Sequence, residues 1–473
     1  ATRFFVTKLD PPKYVAEVSQ VLDGEIGYRI PSRSSVGWVL GLQLLVVLFG
    51  GCWLMACKQL QGLAILVPVS AVLAMAVLVG MGKQNTSQVP SMIATGQVVR
   101  TTPDSATAGV SSVAAIYSQE ERVLPIVTNG GSTTRVVGQD GGAPKRIVWD
   151  DAGGAKWYFV NQPPGVVQHV ETEAVVEIDR PWNAIGKFTA SGFEVGIDGL
   201  DSNVCEDTFV GTVGTPDLSL TPMDNAQQGY RGNGTLVPGR FMNSSVLSEA
   251  QQMRQGLLRE LSGPDAGFFT TEPMLVTWTQ PIDIGLEFGG GYDQVGWSLV
   301  SMPLRFEKTP VATPFKVPST FVRQGALLGT IGSNFFNVTT GKWLDDLIKP
   351  GQAGIRCSVP QSVMPCQLVK ATIDLNIKAP GRTVAIQGFV DGEFRTLYEV
   401  VSPIGAVQYS IVDPEALVLD EEGGLRLTIA VSESDEQQMV EQDDDQAGVV
   451  QTGPVRNTWG IESLQVSLEG VAK

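Results

Sequence analysis

The chain has 473 residues, among them 53 glycines, 28 prolines, five cysteines and a single histidine, and it carries a formal net charge of −16. That acidity argues against nucleic-acid binding, which rests on clustered Lys and Arg. One histidine excludes HExxH zinc sites and multi-histidine iron or copper centres, and the Gly and Pro content fits a turn-rich β protein in two or three domains beside its apolar segment.

Residues 1–35 form an N-terminal arm with a break at Pro11–Pro12 and a candidate short helix in YVAEVSQVL. The arm is too short to bury a core of its own. Ala1 stands where an initiating Met would, so we expect it to follow either Met removal or a larger cleavage.

Residues 36–82 read as a transmembrane helical hairpin, with runs at 36–57 and 62–82 bracketed by Arg33, Lys58 and Lys83. Each run has the roughly 20 apolar residues that span a bilayer core, where only helices satisfy the backbone. Both are apolar all round, with Gln43 and Ser70 as the clearly polar members, unlike the one-sided pattern of a surface helix. Pro68 is a candidate kink, with Ser70 near enough to satisfy a freed carbonyl. Gly37, Gly41, Gly50 and Gly51 offer small surfaces for helix approach, within the hairpin or to another helix. The hairpin places the arm and the β region on one side. Flanking charge favours cytoplasmic termini by a small margin, while β-rich composition and a candidate disulfide favour the outside.

Residues 83–96 read as a polar linker. From Gln97 onward short β-type runs (QVVRTT, VAAIYS, RVLPIVT, KRIVWD, KWYFVN, VVQHVETEAVVEID) alternate with Gly, Asp, Pro and Asn clusters. We divide the region into β domain 1 (97–182), β domain 2 (183–309) and a jelly-roll-like β domain 3 (310–473). The expected fold is therefore a membrane two-helix hairpin plus mainly β, with tandem β-sandwich or jelly-roll-like domains and one amphipathic helix. Trp149, Trp157, Tyr158 and Phe159 are expected in the first core, with a carbohydrate platform as the less favoured use. The helix is expected at 246–261, capped by Ser244 or Ser245, stopped by Gly263–Pro264, and facing inward with Leu247, Ala250, Leu257, Leu258 and Leu261. Gly289 to Gly291 read as a turn, because no GxxxxGK[ST] follows. Strands are expected in MLVTWTQ, VGWSLVSMPLRFE, VAIQGFVDG, FRTLYEVV, AVQYSIV, GLRLTIAVSES and GIESLQVSLEG.

Chemistry-bearing residues are few. Cys357 and Cys366 bound a Pro-containing loop and are either a disulfide or two free thiols, with a metal site disfavoured for want of ligands. Cys52 and Cys57 read as packing residues of the first apolar helix, and Cys205 has no evident partner. His169 sits mid-strand with no GxSxG elbow anywhere, so a structural role is expected. Asp420–Glu422 and Asp443–Asp445 could bind Ca²⁺ but lack EF-hand spacing, and a solvated acidic loop is the simpler reading. The sequons at Asn85, Asn233, Asn243 and Asn337 are weak signals. No catalytic, cofactor-binding or metal residue is assigned.

The stretch RIPSRSSVGWVLGLQLLVVLFGG, with a second apolar run ending LVGMG, resembles a loose family of uncharacterised bacterial envelope membrane proteins. They share a two-helix hairpin introduced by I-P-x-R, here Ile30-Pro31-Ser32-Arg33, and a β-rich extracytoplasmic region. MLVTWTQPIDIGLEF, WSLVSMPLRFEKTP and DLNIKAPGRTVAIQGFVDGE are similar to planctomycete-type members. One departure is the turn CKQLQG, where such members carry a basic one. The resemblance implies an upstream domain before Ala1, a location in the bacterial inner membrane and periplasmic β domains, and it carries no catalytic residues. The expected function is a non-enzymatic scaffold or accessory subunit, partnered by the bilayer and by other membrane or envelope proteins. A glycan-binding envelope module and a carboxylate-based hydrolase are the alternatives.

Overall fold

The computed structural model describes residues 15–26, 33–56, 60–128, 132–137, 146–149, 154–213, 215–223, 229–236, 240–242, 246–263, 267–327, 336–337, 342–343, 347–434 and 458–473. In chain order these form α1 (Val15–Ile26), α2 (Arg33–Ala56), α3 (Leu63–Gln88), β1 (Met92–Thr101), β2 (Thr107–Tyr117), β3 (Arg122–Thr128), β4 (Ser132–Val137), β5 (Arg146–Trp149), β6 (Ala155–Gln162) and β7 (Val167–Glu177). Next come β8 (Asn183–Thr189), β9 (Gly192–Asp198), β10 (Glu206–Gly211), β11 (Leu218–Pro222), β12 (Tyr230–Thr235), α4 (Glu249–Leu261), β13 (Met274–Thr279), β14 (Leu286–Phe288) and β15 (Asp293–Phe306). The rest is β16 (Pro314–Val317), β17 (Arg323–Ala326), β18 (Phe336–Asn337), β19 (Lys342–Trp343), β20 (Gly351–Ser358), β21 (Cys366–Lys378), β22 (Thr383–Val390), β23 (Glu393–Val401), β24 (Ile404–Ile411), β25 (Gly424–Val431) and β26 (Gly460–Ala472).

Two compact units share the chain: residues 1–99, 109–176 and 280–298 make the first, and residues 100–108, 177–279 and 299–473 make the second. In the first unit, the early part of β15 continues through β1, β2 and β7 to β4, while β14, β3, β6 and β5 form another sheet. Ile93, Ala114, Ile116, Leu124, Ile126, Val136 and Val170 join the two sheets in one apolar cluster, with Trp157, Leu286, Phe288 and Tyr292 packed on it. β1 is buried at nearly every position, on both faces, because α1 covers its other side. Trp149 and Tyr158 are exposed, contrary to expectation. Alternation along β6 turns Trp157 inward and its neighbour Tyr158 outward, and Trp149 ends the edge strand β5. The Phe159 side chain lies outside the described residues.

In the second unit β13, β10, β11, β12, β9, β8 and β15 pair in that order, and β13 pairs back to β15, closing a seven-stranded barrel. Its core includes Phe188, Phe193, Phe306 and Phe321, whose ring centroids lie 4.5–6.2 Å apart. A closed sheet of this size is narrow enough for side chains such as these rings to fill it. This corrects the tandem-sandwich expectation over 183–309: the chain is mainly β, but here the sheet closes on itself. β8 and β15 pair in parallel, Ala184 against Leu304, a contact across a long sequence interval that alternation cannot show. α4 starts at Glu249, later than expected. Ser248 is its cap, with Gln251 completing a capping box, and Ser244 and Ser245 lie outside the described residues. Leu257, Leu258 and Leu261 are buried as expected; Ala250 is exposed in the first turn, and Gln255 is buried in its place.

Beyond the barrel the chain forms two antiparallel sheets, β16-β26-β21-β24 and β17-β20-β25-β22-β23. β21 and β26 alternate buried and partly exposed residues, as strands with one apolar face do.

Candidate functional site

The helical hairpin is the feature with the clearest chemistry. α2 and α3 each contain a segment, Val36–Ala56 and Ala64–Met81, long and apolar enough to cross a membrane. Their large side chains point into the surroundings rather than into a protein core: Trp38 is 78% and Phe49 71% exposed, and Trp53, Ile65 and Leu73 are similar. A soluble protein would bury these groups, at about 1.5–3 kcal/mol for each Leu, Ile, Val or Phe. Gly50 lets α3 approach, since a Cβ there would stand 2.5 Å from Leu66 Cδ2, and Gly62 does the same for Leu54. Gly37 and Gly41 meet nothing within 4 Å. The Ser70 hydroxyl donates to the Val67 carbonyl at 2.9 Å, an ordinary back-bond within the helix. It does not serve the Ala64 carbonyl, the one Pro68 deprives of its amide partner. Cys52 is an exposed free thiol on α2; Cys57 and Lys58 lie outside the described residues.

Both ends of the hairpin lead into the first unit. The segment 83–96, expected as a linker, is instead the end of α3 and the start of β1, with only 89–91 between them. That junction is fastened. Gln119 Nε2 donates to the Val89 carbonyl at 2.7 Å, the Gln119 amide donates to Ser91 Oγ at 3.2 Å, and the Asp293 amide donates to the Ser91 carbonyl at 3.1 Å. Further along β1, Gln97 is buried and doubly held: its Oε1 accepts from the Ile282 amide and the Ser298 hydroxyl, and its Nε2 donates to the Ile282 carbonyl. At the other end α1 lies on the same sheet. Val18, Leu22 and Ile26, spaced one helical turn apart, are buried. Gly96 on β1 makes room for them, because a Cβ there would stand 2.8 Å from Val18 Cγ1 and 2.9 Å from the Trp297 ring. His169 on β7 completes the clasp with Nε2 2.9 Å from Asp23 Oδ1. The sole histidine thus ties α1 to β7. Beside it, burial raises the Glu171 carboxyl above its ordinary range, opposed by Arg135 and His169. The sequence showed α1 as a candidate helix, but nothing in it indicated where the helix docks.

The other candidate residues are held in structural roles. Cys357 and Cys366 are both free thiols, so the candidate disulfide is not formed. They belong to different sheets, Cys357 opposite Leu425 on β25 and Cys366 opposite Ala472 on β26. Burial pushes the Cys357 thiol up to about 12 and the Cys366 thiol to about 11, which makes both poor nucleophiles. The Asp420 carboxylate is filled by Arg356, whose Nε and Nη2 donate at 2.7 and 2.8 Å, and by the Gly424 amide. That pairing lowers it to about 2 and uses the oxygens a Ca²⁺ ion would need. Asp443–Asp445 lie outside the described residues, and among the described residues no group of three or more His, Cys, Asp and Glu could hold a metal. Of the sequons, Asn233 is on β12, Asn85 in α3 and Asn337 on β18, while Asn243 lies outside the described residues.

A groove of about 350 Å³ runs along the outer face of β8 and β9, lined among others by Lys187, Glu194, Asp198, Met223 and Glu307. The nearly buried Glu194 carboxylate sits there between Lys187 Nζ at 3.5 Å and Arg231 Nη2 at 3.0 Å, directly across the strands. Its charge is balanced by neighbours on the same sheet, which is how a cross-strand pair stabilises a sheet.

No family model matches the chain, and no curated protein matches it. Solved structures show only slight similarity. A two-domain M1 zinc metallopeptidase bound to L-tryptophan is 10% identical over 19% of this chain and 22% of that one, with a TM-score of 0.15. TmCBM61 in complex with β-1,4-galactotriose is 12% identical over 34% of this chain and 89% of that one, at 0.16. The M1 zinc metallopeptidase from Deinococcus radiodurans is 8% identical over 65% and 46%, at 0.17. The chain thus spans less than half the length of the metallopeptidases, and scores this low inform neither fold nor function.

Proposed function

We propose that this chain is a membrane-anchored, non-enzymatic scaffold that presents its β domains to other membrane or envelope proteins. One observation carries the reading: an apolar hairpin with bare side chains, both ends of which lead into elements seated on one β unit, α1 on one side and the fastened α3–β1 junction on the other. A tether whose only task is to keep a domain near a membrane needs one helix and a loose linker. Here three residues separate helix from sheet, and their hydrogen bonds fix the approach. That geometry suits a part that must hold its partners in a set relation to the bilayer. The two sheets after Pro314 are consistent with a jelly-roll-like sandwich, whose edges and loops are the natural contact surfaces. The bacterial inner membrane and an extracytoplasmic β region are part of the proposal, and rest on the resemblance at Ile30–Arg33 and the hairpin.

Gentle detergent extraction from native membranes, sizing, and mass spectrometry of co-migrating proteins test it. A particle of fixed stoichiometry containing other envelope proteins is expected. Release of the full chain by alkaline carbonate would refute the anchor, and migration with no other protein would refute the scaffold.

A further inference from the structure

Strand β24 is an edge. It pairs with β21 along its whole length, Ile404–Ile411 against Lys378–Ala371, without a register shift, and among the described residues nothing pairs on its other side. Its sequence, IGAVQYSI, has no charge and no proline. Other edges are guarded: β23 carries Glu393, Arg395 and Glu399, β4 carries Arg135, and β16 has Pro314 and Lys316. Charges and prolines are the usual means of keeping edges from pairing with further strands. β24 has none of them. Large apolar side chains also stand bare at its two ends, Ile404 at 73% and Val412 at 65% exposed.

We propose that β24 pairs with β24 of a second copy of this chain, antiparallel about a two-fold axis at Gln408. The strand is self-complementary in that register. Gln408 faces its own copy, Ala406 faces Ser410, and Ile404 faces Val412, so both bare apolar groups are covered by each other's counterpart. Gln408 Nε2 gives one of its two hydrogens to Asp374 Oδ1 at 2.6 Å, which leaves the other hydrogen and the carboxamide oxygen for a reciprocal pair across the axis. An isologous contact sets each residue against the same patch of its copy. On a chain of net charge −16, that is tolerable only where the strand itself is uncharged, because like charges directly opposite are destabilising. The ends also complement one another. Lys378 stands in register with Ile404, while Asp413 and Glu415 outnumber Arg395 beyond Ile411, and an antiparallel pair brings the basic end to the acidic one. Pairing one strand buries far less than the roughly 1,200 Å² of an ordinary stable interface. The contact therefore works where copies are concentrated, and in this respect alone it rests on the anchor reading.

The test uses the full chain in membranes with Gln408→Cys, treated with a short bis-maleimide and compared with the unsubstituted chain to subtract the native cysteines. Directly opposite residues have Cβ atoms about 5 Å apart, so the axis position should cross-link copy to copy. A second variant adds Ile404→Lys and Val412→Lys, both at exposed positions, placing two like-charge pairs across the contact. A cross-linked dimer that falls about tenfold in the lysine variant is expected. A yield no higher than in the unsubstituted chain, or a dimer that the lysines leave unchanged, would overturn it. Carbonate extraction of the same membranes reads the anchor separately, so failure of the contact and failure of the anchor are distinguishable.

Discussion

The α1 clasp is held by burial rather than by its ion pair, and two substitutions separate the contributions. Leu22 is fully buried, and truncating such a leucine to alanine removes about 3 kcal/mol. A helix as short as α1 is marginal alone in water, so its order depends on that burial. The His169–Asp23 pair has side chains 21% and 49% exposed, and pairs open to solvent contribute about 0–1 kcal/mol. Leu22→Ala should therefore lower the opening free energy of α1 by about 3 kcal/mol and speed amide exchange there roughly 100-fold. His169→Ala should speed it less than about tenfold. Hydrogen exchange of the full chain in detergent, followed by mass spectrometry of peptides covering 16–26, measures both. Equal effects, or a larger one from His169→Ala, would refute the ranking and make the pair the principal tie.

Gly96→Val should loosen the same clasp by about 1–3 kcal/mol, because its Cβ would meet Val18 and Trp297; a lowered thermal midpoint with faster α1 exchange checks it. Asp217 has its carboxyl raised from 3.8 to about 7 by burial beside Gly211 and Phe269, so the folded state favours the protonated form and loses stability as pH climbs from 4 to 7. About 4 kcal/mol is the ceiling, and about 2 is expected because the residue keeps some exposure. Asp217→Asn should thus raise the thermal midpoint at pH 8 and leave it nearly unchanged at pH 4. Asp420 runs the other way: held down to about 2 by Arg356, it stabilises the fold above pH 4 and loses that contribution as pH falls toward 2. Asp420→Asn should cost about 2 kcal/mol at pH 7 in denaturant unfolding, and little at pH 2. Cys357 should resist thiol reagents at pH 8 until the chain is denatured, as followed by mass spectrometry of the labelled peptide.

Much of the fold was legible because it depends on local pattern. The hairpin follows from two apolar runs, and β22 to β26 follow from alternation. Barrel closure was not legible, since Phe188 and Phe193 alternate in a closed sheet just as they would in a sandwich, and the deciding contact joins Ala184 to Leu304. The start of α4 was misplaced because Ser244, Ser245 and Ser248 are all good caps; Gln251, three residues past Ser248, was the available signal for the right one. The cysteines were close in sequence and belong to two sheets, a separation set by the crossing chain rather than by spacing. Gly96 fell at the end of the segment read as a polar linker, and its use as a seat for Val18 depends on an arm that precedes the hairpin in sequence and returns to the same sheet.

A body carried on one membrane helix is free to spin about that helix. The first unit is fastened at the α3–β1 junction and carries α1 on its sheet, so under the anchor reading it turns and tilts together with its hairpin. Each copy still turns about the bilayer normal, but under that reading all copies carry their β surfaces at one height and one tilt, which leaves a single angle to be matched when two of them meet.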